Sequence, residues 1–169
     1  MKRFSSIAAA VMASILWPSP AFAAEPDVTL GQPLSFGSVV HSGAGTVAIG
    51  TDGTAAYTGG VEAFRQGAVP REARVAVTGD PGQALTITIA GGGSTAALGS
   101  WTIDQLVIAV DSVQSPVPER SAAGGIPITL STIPGTPAEV RIGGRLALPA
   151  GQLDPGATSG SILIEATYE

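Results

Sequence analysis

The chain has 169 residues, with thirteen carboxylates against eight lysines and arginines, one histidine and no cysteine. The missing cysteine excludes a disulfide framework and thiolate chemistry, and with a single histidine it also excludes zinc sites of the usual kind. An acidic balance without a basic stripe argues against nucleic acid or an anionic membrane as partner, and solubility alone accounts for it.

Lys2 and Arg3 open the chain, Ile7 to Trp17 is apolar, Pro18 and Pro20 interrupt it, and Ala21-Phe22-Ala23 supplies a small-x-small site. This order predicts a cleaved signal peptide over 1–23, export across a bacterial-type inner membrane, and a mature chain beginning at Ala24. The apolar stretch is shorter than the roughly 20 residues that span a bilayer. No later stretch is longer, so no membrane insertion of the mature chain is expected. The remaining 146 residues suit one domain. A chain of that size buries roughly 68–70% of the surface it exposes unfolded, enough to need no staple. Processing also takes away the only lysine. Arg65, Arg71, Arg74, Arg120, Arg141 and Arg145 then face thirteen carboxylates, a balance of −7. Without lysine or asparagine the mature chain forms no Schiff base, lysine isopeptide or N-glycan.

Residues 24–33 read as a short N-terminal extension to a domain over 34–169, with Pro26 to Leu30 a short strand before Gly31-Gln32-Pro33. Further on, Ala73, Val75 and Val77 alternate with Glu72, Arg74 and Thr78, and Leu85, Ile87 and Ile89 alternate with Thr86 and Thr88. In Trp101 to Val110 the parity changes. Trp101 and Ile103 share one face, whereas Leu106, Ile108 and Val110 lie on the other. Either a bulge near Asp104 or Gln105 reconciles them, or the segment is a central strand buried on both faces. Ile126, Ile128 and Leu130 alternate with Pro127 and Thr129, and Ile162, Ile164, Ala166 and Tyr168 alternate with Ser161, Glu165 and Thr167. A period of two is what a half-buried strand requires. Turn signals recur between and around these runs: Asp52-Gly53, Gly59-Gly60, Gly79 to Gly82, Gly91 to Gly93, Gly124-Gly125, Pro134-Gly135, Gly143-Gly144 and Asp154 to Gly156. With no helical stretch, the pattern predicts an all-β sandwich or open barrel.

Catalytic and ligand motifs are weak throughout. His41 is the only base of the kind a Ser-His-Asp triad needs, and neither Ser38 nor Ser42 lies in a Gly-x-Ser-x-Gly elbow. Gly91-Gly92-Gly93-Ser94-Thr95-Ala96 and Gly43-Ala44-Gly45-Thr46-Val47-Ala48 match a dinucleotide fingerprint, yet no helix follows either to meet a pyrophosphate; both read as glycine turns. Asp52, Asp80, Asp104, Asp111 and Asp154 are dispersed and form no calcium-loop run. Trp101, Tyr57, Tyr168, Phe36 and Phe64 are the aromatics available to a sugar platform, and each also reads as a core or strand residue. No catalytic, cofactor or metal residue is identified, no cofactor is expected, and the chain reads as a non-enzyme.

The final strand, Ser161 to Tyr168, runs to the last residues of the chain, and Val28 and Leu30 are the apolar residues of the first. An exposed edge invites another strand to pair, so Val28 and Leu30 are the candidate strand-donor or edge residues. The alternative is that both terminal strands close the domain's own sheets, the default for a single chain.

Several segments carry a resemblance. Leu34-Ser35-Phe36-Gly37-Ser38-Val39, Gly45 to Ile49, Thr58 to Val61, Arg74 to Gly79 with Leu85 to Ile89, Val140 to Leu146 before Pro149 to Gln152, and Pro155 to Gly160 follow one another in order. Together they resemble the exported bacterial domain of unknown function 4402 family. That family is in turn similar to spore-coat-type and archaic chaperone–usher pilins, incomplete sandwiches that receive a donor strand from a neighbour. Two features differ from those pilins: the cysteine pair is missing, and only ten residues of the expected mature chain, Ala24 to Pro33, precede Leu34. The resemblance implies a single immunoglobulin-like, pilin-like antiparallel β-sandwich after the signal peptide. It also implies a non-enzymatic fimbrial or cell-surface subunit in the periplasm, at the surface or outside the cell. Its partners would be like subunits or a periplasmic chaperone, engaged through edge strands. A monomeric periplasmic or secreted binding module, for carbohydrate, is the alternative.

Overall fold

A computed structural model describes residues 25–91, 102–111, 116–150 and 162–169. Residues 1–24, with the segment expected as a signal peptide, and residues 92–101 (Trp101 included), 112–115 and 151–161 lie outside the described residues. Among the described residues ten strands follow in order: β1 (Asp27–Gln32), β2 (Val39–Ile49), β3 (Ala55–Ala63), β4 (Ala73–Thr78), β5 (Ala84–Gly91), β6 (Thr102–Asp111), β7 (Val117–Ser121), β8 (Ile126–Thr129), β9 (Ala138–Leu148) and β10 (Ile162–Tyr168). All pairings are antiparallel and fall into a seven-stranded and a three-stranded sheet, the all-β sandwich that the alternation predicts.

β9 organises the large sheet. It pairs with β6 along nearly its whole length, from Thr102↔Ala147 to Asp111↔Glu139. Its other edge is shared between two strands: Ala138 to Ile142 pair with β4, and Gly144 to Leu148 pair with β2. The sheet therefore forks at Gly143. A Cβ there would run into the Ile49 carbonyl oxygen and come within 3.0 Å of Gly50 C, so the fork needs glycine. Gly143-Gly144, which reads as a turn in sequence, thus lies in the middle of β9, the strand shared by three ladders. Gly59-Gly60 and Gly43 to Gly45 likewise sit inside β3 and β2, where the register slips between His41 and Gly45. A side chain on Gly45 or Gly59 would collide with the facing backbone. Glycine here marks close strand approach as often as it marks a reversal.

The main core lies between the sheets. Val75, Val77, Ile108, Val110, Val140 and Ile142 from the large sheet meet Leu85, Ile87, Ile126 and Ile128 from the small one, which runs β10-β5-β8. A second cluster of Val47, Ile49, Val61, Leu146 and Leu148 lies under the β2–β3 branch, packed by Phe36 and Tyr57. Leu34 touches both clusters and joins them.

The parity change in β6 resolves as a bulge. The β6–β9 register shifts between Asp104 and Val107, and Gln105 adopts φ 50. Ile103 consequently packs on the second cluster, while Leu106, Ile108 and Val110 serve the first.

Candidate functional site

The residues set apart as an N-terminal extension supply β1, which covers the outer edge of β4. Val28 stands opposite Val77 and Leu30 opposite Val75. Opposite residues share a face, so both point to the core side of the sheet. Val28 reaches the main core, whereas Leu30 is 61% exposed. Gln32, beyond the slip in the ladder, donates from Nε2 to the Glu72 carbonyl at 2.7 Å and closes the strand.

Beside β1 lies β10, the border strand of the small sheet, and no ladder joins the two. Ile164, Ala166 and Tyr168 pack against the main core only half-buried, while Leu85 and Ile87 on the adjoining β5 are fully buried. Burial thus falls away on one flank of the sandwich, between two strands whose outer edges are unpaired among the described residues. Tyr168 limits the opening. Its hydroxyl accepts from the Asp80 amide at 2.7 Å and ties the last strand to the β4–β5 turn. The backbone amide of Glu169 donates to Ala84 at 3.2 Å. An unpaired edge flanked by half-buried apolar side chains is a surface on which an added strand gains both hydrogen bonds and burial.

A second feature, absent from the sequence motifs above, occupies the outer face of the large sheet. Glu72 and Arg74 are two residues apart, as are Glu139 and Arg141, so each pair shares a face. Adjacent registers bring the pairs together. Buried Glu72 accepts from Arg74 Nε at 2.7 Å, with Nη2 also 2.7 Å away, and Arg74 Nη1 lies 3.5 Å from Glu139. Burial pushes the Glu72 carboxyl up, but its own backbone amide and the Arg74 guanidinium outweigh that and hold it below the usual glutamate range. Arg141 pairs with Asp111 at 2.9 Å and donates to the Thr51 carbonyl at 3.3 Å. Thr51 in turn gives its amide and hydroxyl to Glu119 at 2.7 and 2.6 Å. Asp52 accepts from the Thr54 hydroxyl and amide at 2.6 and 2.9 Å, and these bonds hold its carboxyl below the usual range. Thr51, Asp52, Asp111, Glu119 and Arg141 border an open depression of about 560 Å³ that also takes in Pro116 and Val117. The signal in the sequence was the spacing of two between unlike charges.

The remaining candidates are dispersed. His41 Nε2 lies 2.9 Å from the Pro149 carbonyl oxygen, an acceptor, so this nitrogen carries the proton. Ser42 donates to the Gly60 carbonyl at 3.2 Å, and Ser38 Oγ accepts from the Ala68 amide at 2.9 Å. The histidine and both serines thus have backbone partners, and the structure assembles no triad from them. Among the described residues no three of His, Asp and Glu cluster as metal ligands would. Phe36 and Tyr57 pack into the second cluster and Tyr168 bridges the sheets, which leaves Phe64 as the exposed aromatic among those described.

The family model for a domain of unknown function, DUF4402, matches residues 27–168, from the first residue of β1 to the last of β10. No curated protein and no solved structure matches the chain. The chain belongs to the domain of unknown function 4402 family.

Proposed function

We propose that this member of the domain of unknown function 4402 family is a non-enzymatic exported structural protein, a pilin-like fimbrial or cell-surface subunit. In this reading it works in the periplasm, at the surface or outside the cell. The observation that carries the reading is the flank between β1 and β10, where two border strands frame half-buried Ile164, Ala166 and Tyr168 and exposed Leu30. Like subunits or a periplasmic chaperone would add a strand there, with Val28 and Leu30 at the contact. Neither nucleic acid nor membrane insertion has a part in it.

The test uses protein from its own host. It should run as multimers or as a chaperone complex, with the outward amides of β1 and β10, those not bonded to β4 or β5, protected from hydrogen exchange. Because the chain has no cysteine, Thr29→Cys gives a clean cross-linking probe on β1. A monomer whose outward-facing β1 and β10 amides exchange freely, and whose Thr29→Cys variant never cross-links, would defeat the reading.

The depression beside Arg141 and Glu119 favours a second reading, a monomeric binding module for carbohydrate. Ion-paired carboxylates and a guanidinium at an open surface are groups that hydroxyls bond. A rise in melting temperature with one member of a glycan panel would support it, and no shift across the panel would count against it.

A further inference from the structure

The ladder along β9 gives the domain two unlike ends. At the Ala138 end lie Thr78, its partner Asp27 at the start of β1, and the β4–β5 turn with Asp80. Glu25 and Asp27 are exposed there, and so is Glu169, whose amide bonds Ala84 just past that turn. The loop entering β9 also presents Ile133, 63% exposed. No arginine is found in residues 25–27, 78–84 or 131–138. This end is acidic with one projecting aliphatic side chain.

At the Leu148 end β9 meets Gly45, and β2 and β3 continue past it to Val39 and Ala63. Ser38 gathers the chain there: its carbonyl takes the Phe64 amide at 2.8 Å, and its amide donates to Ala68 at 2.9 Å. Val40, Phe64 and Val69 are 51%, 48% and 71% exposed around it. Exposed Arg65 and Arg71 lie on the same loop, near one exposed carboxylate, Glu62, which stands opposite Val40; the loop's own Glu72 is buried and paired with Arg74. In a mature chain with six arginines, two occupy this single loop. Large apolar side chains grouped at a surface and rimmed by polar residues mark an interaction surface.

We infer that the occupant of the Phe64–Arg71 end is the acidic end of a second copy of this chain. Ile133 would seat among Val40, Phe64 and Val69, with Glu25, Asp27 and Asp80 facing Arg65 and Arg71. The contact rests on the structural-subunit reading above and adds to it a direction. Two different patches meet, so the association is heterologous and grows head to tail instead of closing as a symmetric dimer. Opposite fields at the two ends orient the encounter and disfavour like ends meeting.

Charge reversal tests this with protein expressed from the full-length sequence and purified, followed by sedimentation velocity over a concentration series. Wild type should self-associate at low salt. Raising salt from about 0.05 M to about 0.5 M should weaken association by about tenfold or more. Arg65→Glu with Arg71→Glu makes both ends acidic, and Glu25→Arg with Asp27→Arg reverses the other end. Each double variant alone should be monomeric, with an unchanged melting temperature because all four positions are exposed. An equimolar mixture restores attraction at both contacts, native end to native end and reversed end to reversed end, and should associate again. Phe64→Ser should weaken wild-type association without altering the charges. Multimers that ignore salt and both reversals would overturn the end-to-end contact while leaving the subunit reading in place. A wild type that stays monomeric at low salt would overturn the contact as well.

Discussion

Arg74 and Arg141 stand directly opposite each other across β4 and β9, two like charges in one cross-strand pair. Such a pair is destabilising unless each member is neutralised from elsewhere. Glu72 and Glu139 take Arg74, and Asp111 takes Arg141. Through Thr51 and Glu119 the same network reaches the β2–β3 turn and β7. The outer face thereby ties together the branches that separate at Gly143.

Glu72 is the buried member, and its removal leaves Arg74 only the longer 3.5 Å contact with Glu139. Glu72→Ala should cost about 1–2 kcal/mol, at the lower end for a charged bond because Arg74 is half exposed and rehydrates. Urea unfolding followed by circular dichroism would measure it.

The pH dependence has a definite sign. Glu72 and Asp52 have folded-state values held below the usual carboxylate range. Their stabilisation is fully present above the unfolded values and is lost as pH falls through the folded ones. The melting temperature should therefore drop on acidification within and below the ordinary carboxylate range. Glu72→Gln should flatten that drop, and an unaltered profile would show that Glu72 contributes nothing to it.

Gly143→Ala should destabilise by about 1–3 kcal/mol, because its Cβ meets the Ile49 backbone where β4 hands over to β2. Gly43→Ala is the control. Nothing lies within 4 Å of that Cβ, and stability should stay within about 0.5 kcal/mol of wild type.

Gln105 holds a left-handed backbone in the β6 bulge. Relieving it with Gln105→Gly should be neutral or stabilising by up to about 1 kcal/mol, and Gln105→Val should cost about 1–2 kcal/mol. Equal effects from both substitutions would mean that no bulge forms there.

Tyr168→Phe removes the acceptor of the Asp80 amide and should cost about 0.5–1.5 kcal/mol. Hydrogen exchange should quicken first in β10, the strand that this bond anchors.

Much of the fold was legible because burial on one face imposes a period of two. Val75 and Val77, Leu85 and Ile87, and Ile126 and Ile128 all face the core that their alternation points to. Even the break at Asp104 and Gln105 was readable, since a parity change has few physical causes. Glycine was less legible. Gly53, Gly82, Gly124 and Gly135 take the positive φ of turns, whereas Gly143 and Gly45 lie within strands and are needed for room. A local sequence does not say whether the missing side chain frees a dihedral or makes space for a distant backbone.

By itself, then, the sequence determined the all-β class, the acidic cysteine-free composition, the main strands and the family. Each follows from composition or from local alternation and motif order. Only the tertiary structure decided that residues 27–32 close the edge of β4, that β9 divides its partners at Gly143, and that Arg74 meets Arg141. Those facts depend on register between segments up to dozens of residues apart. Register is set by which faces can be buried together, and no single strand contains that information.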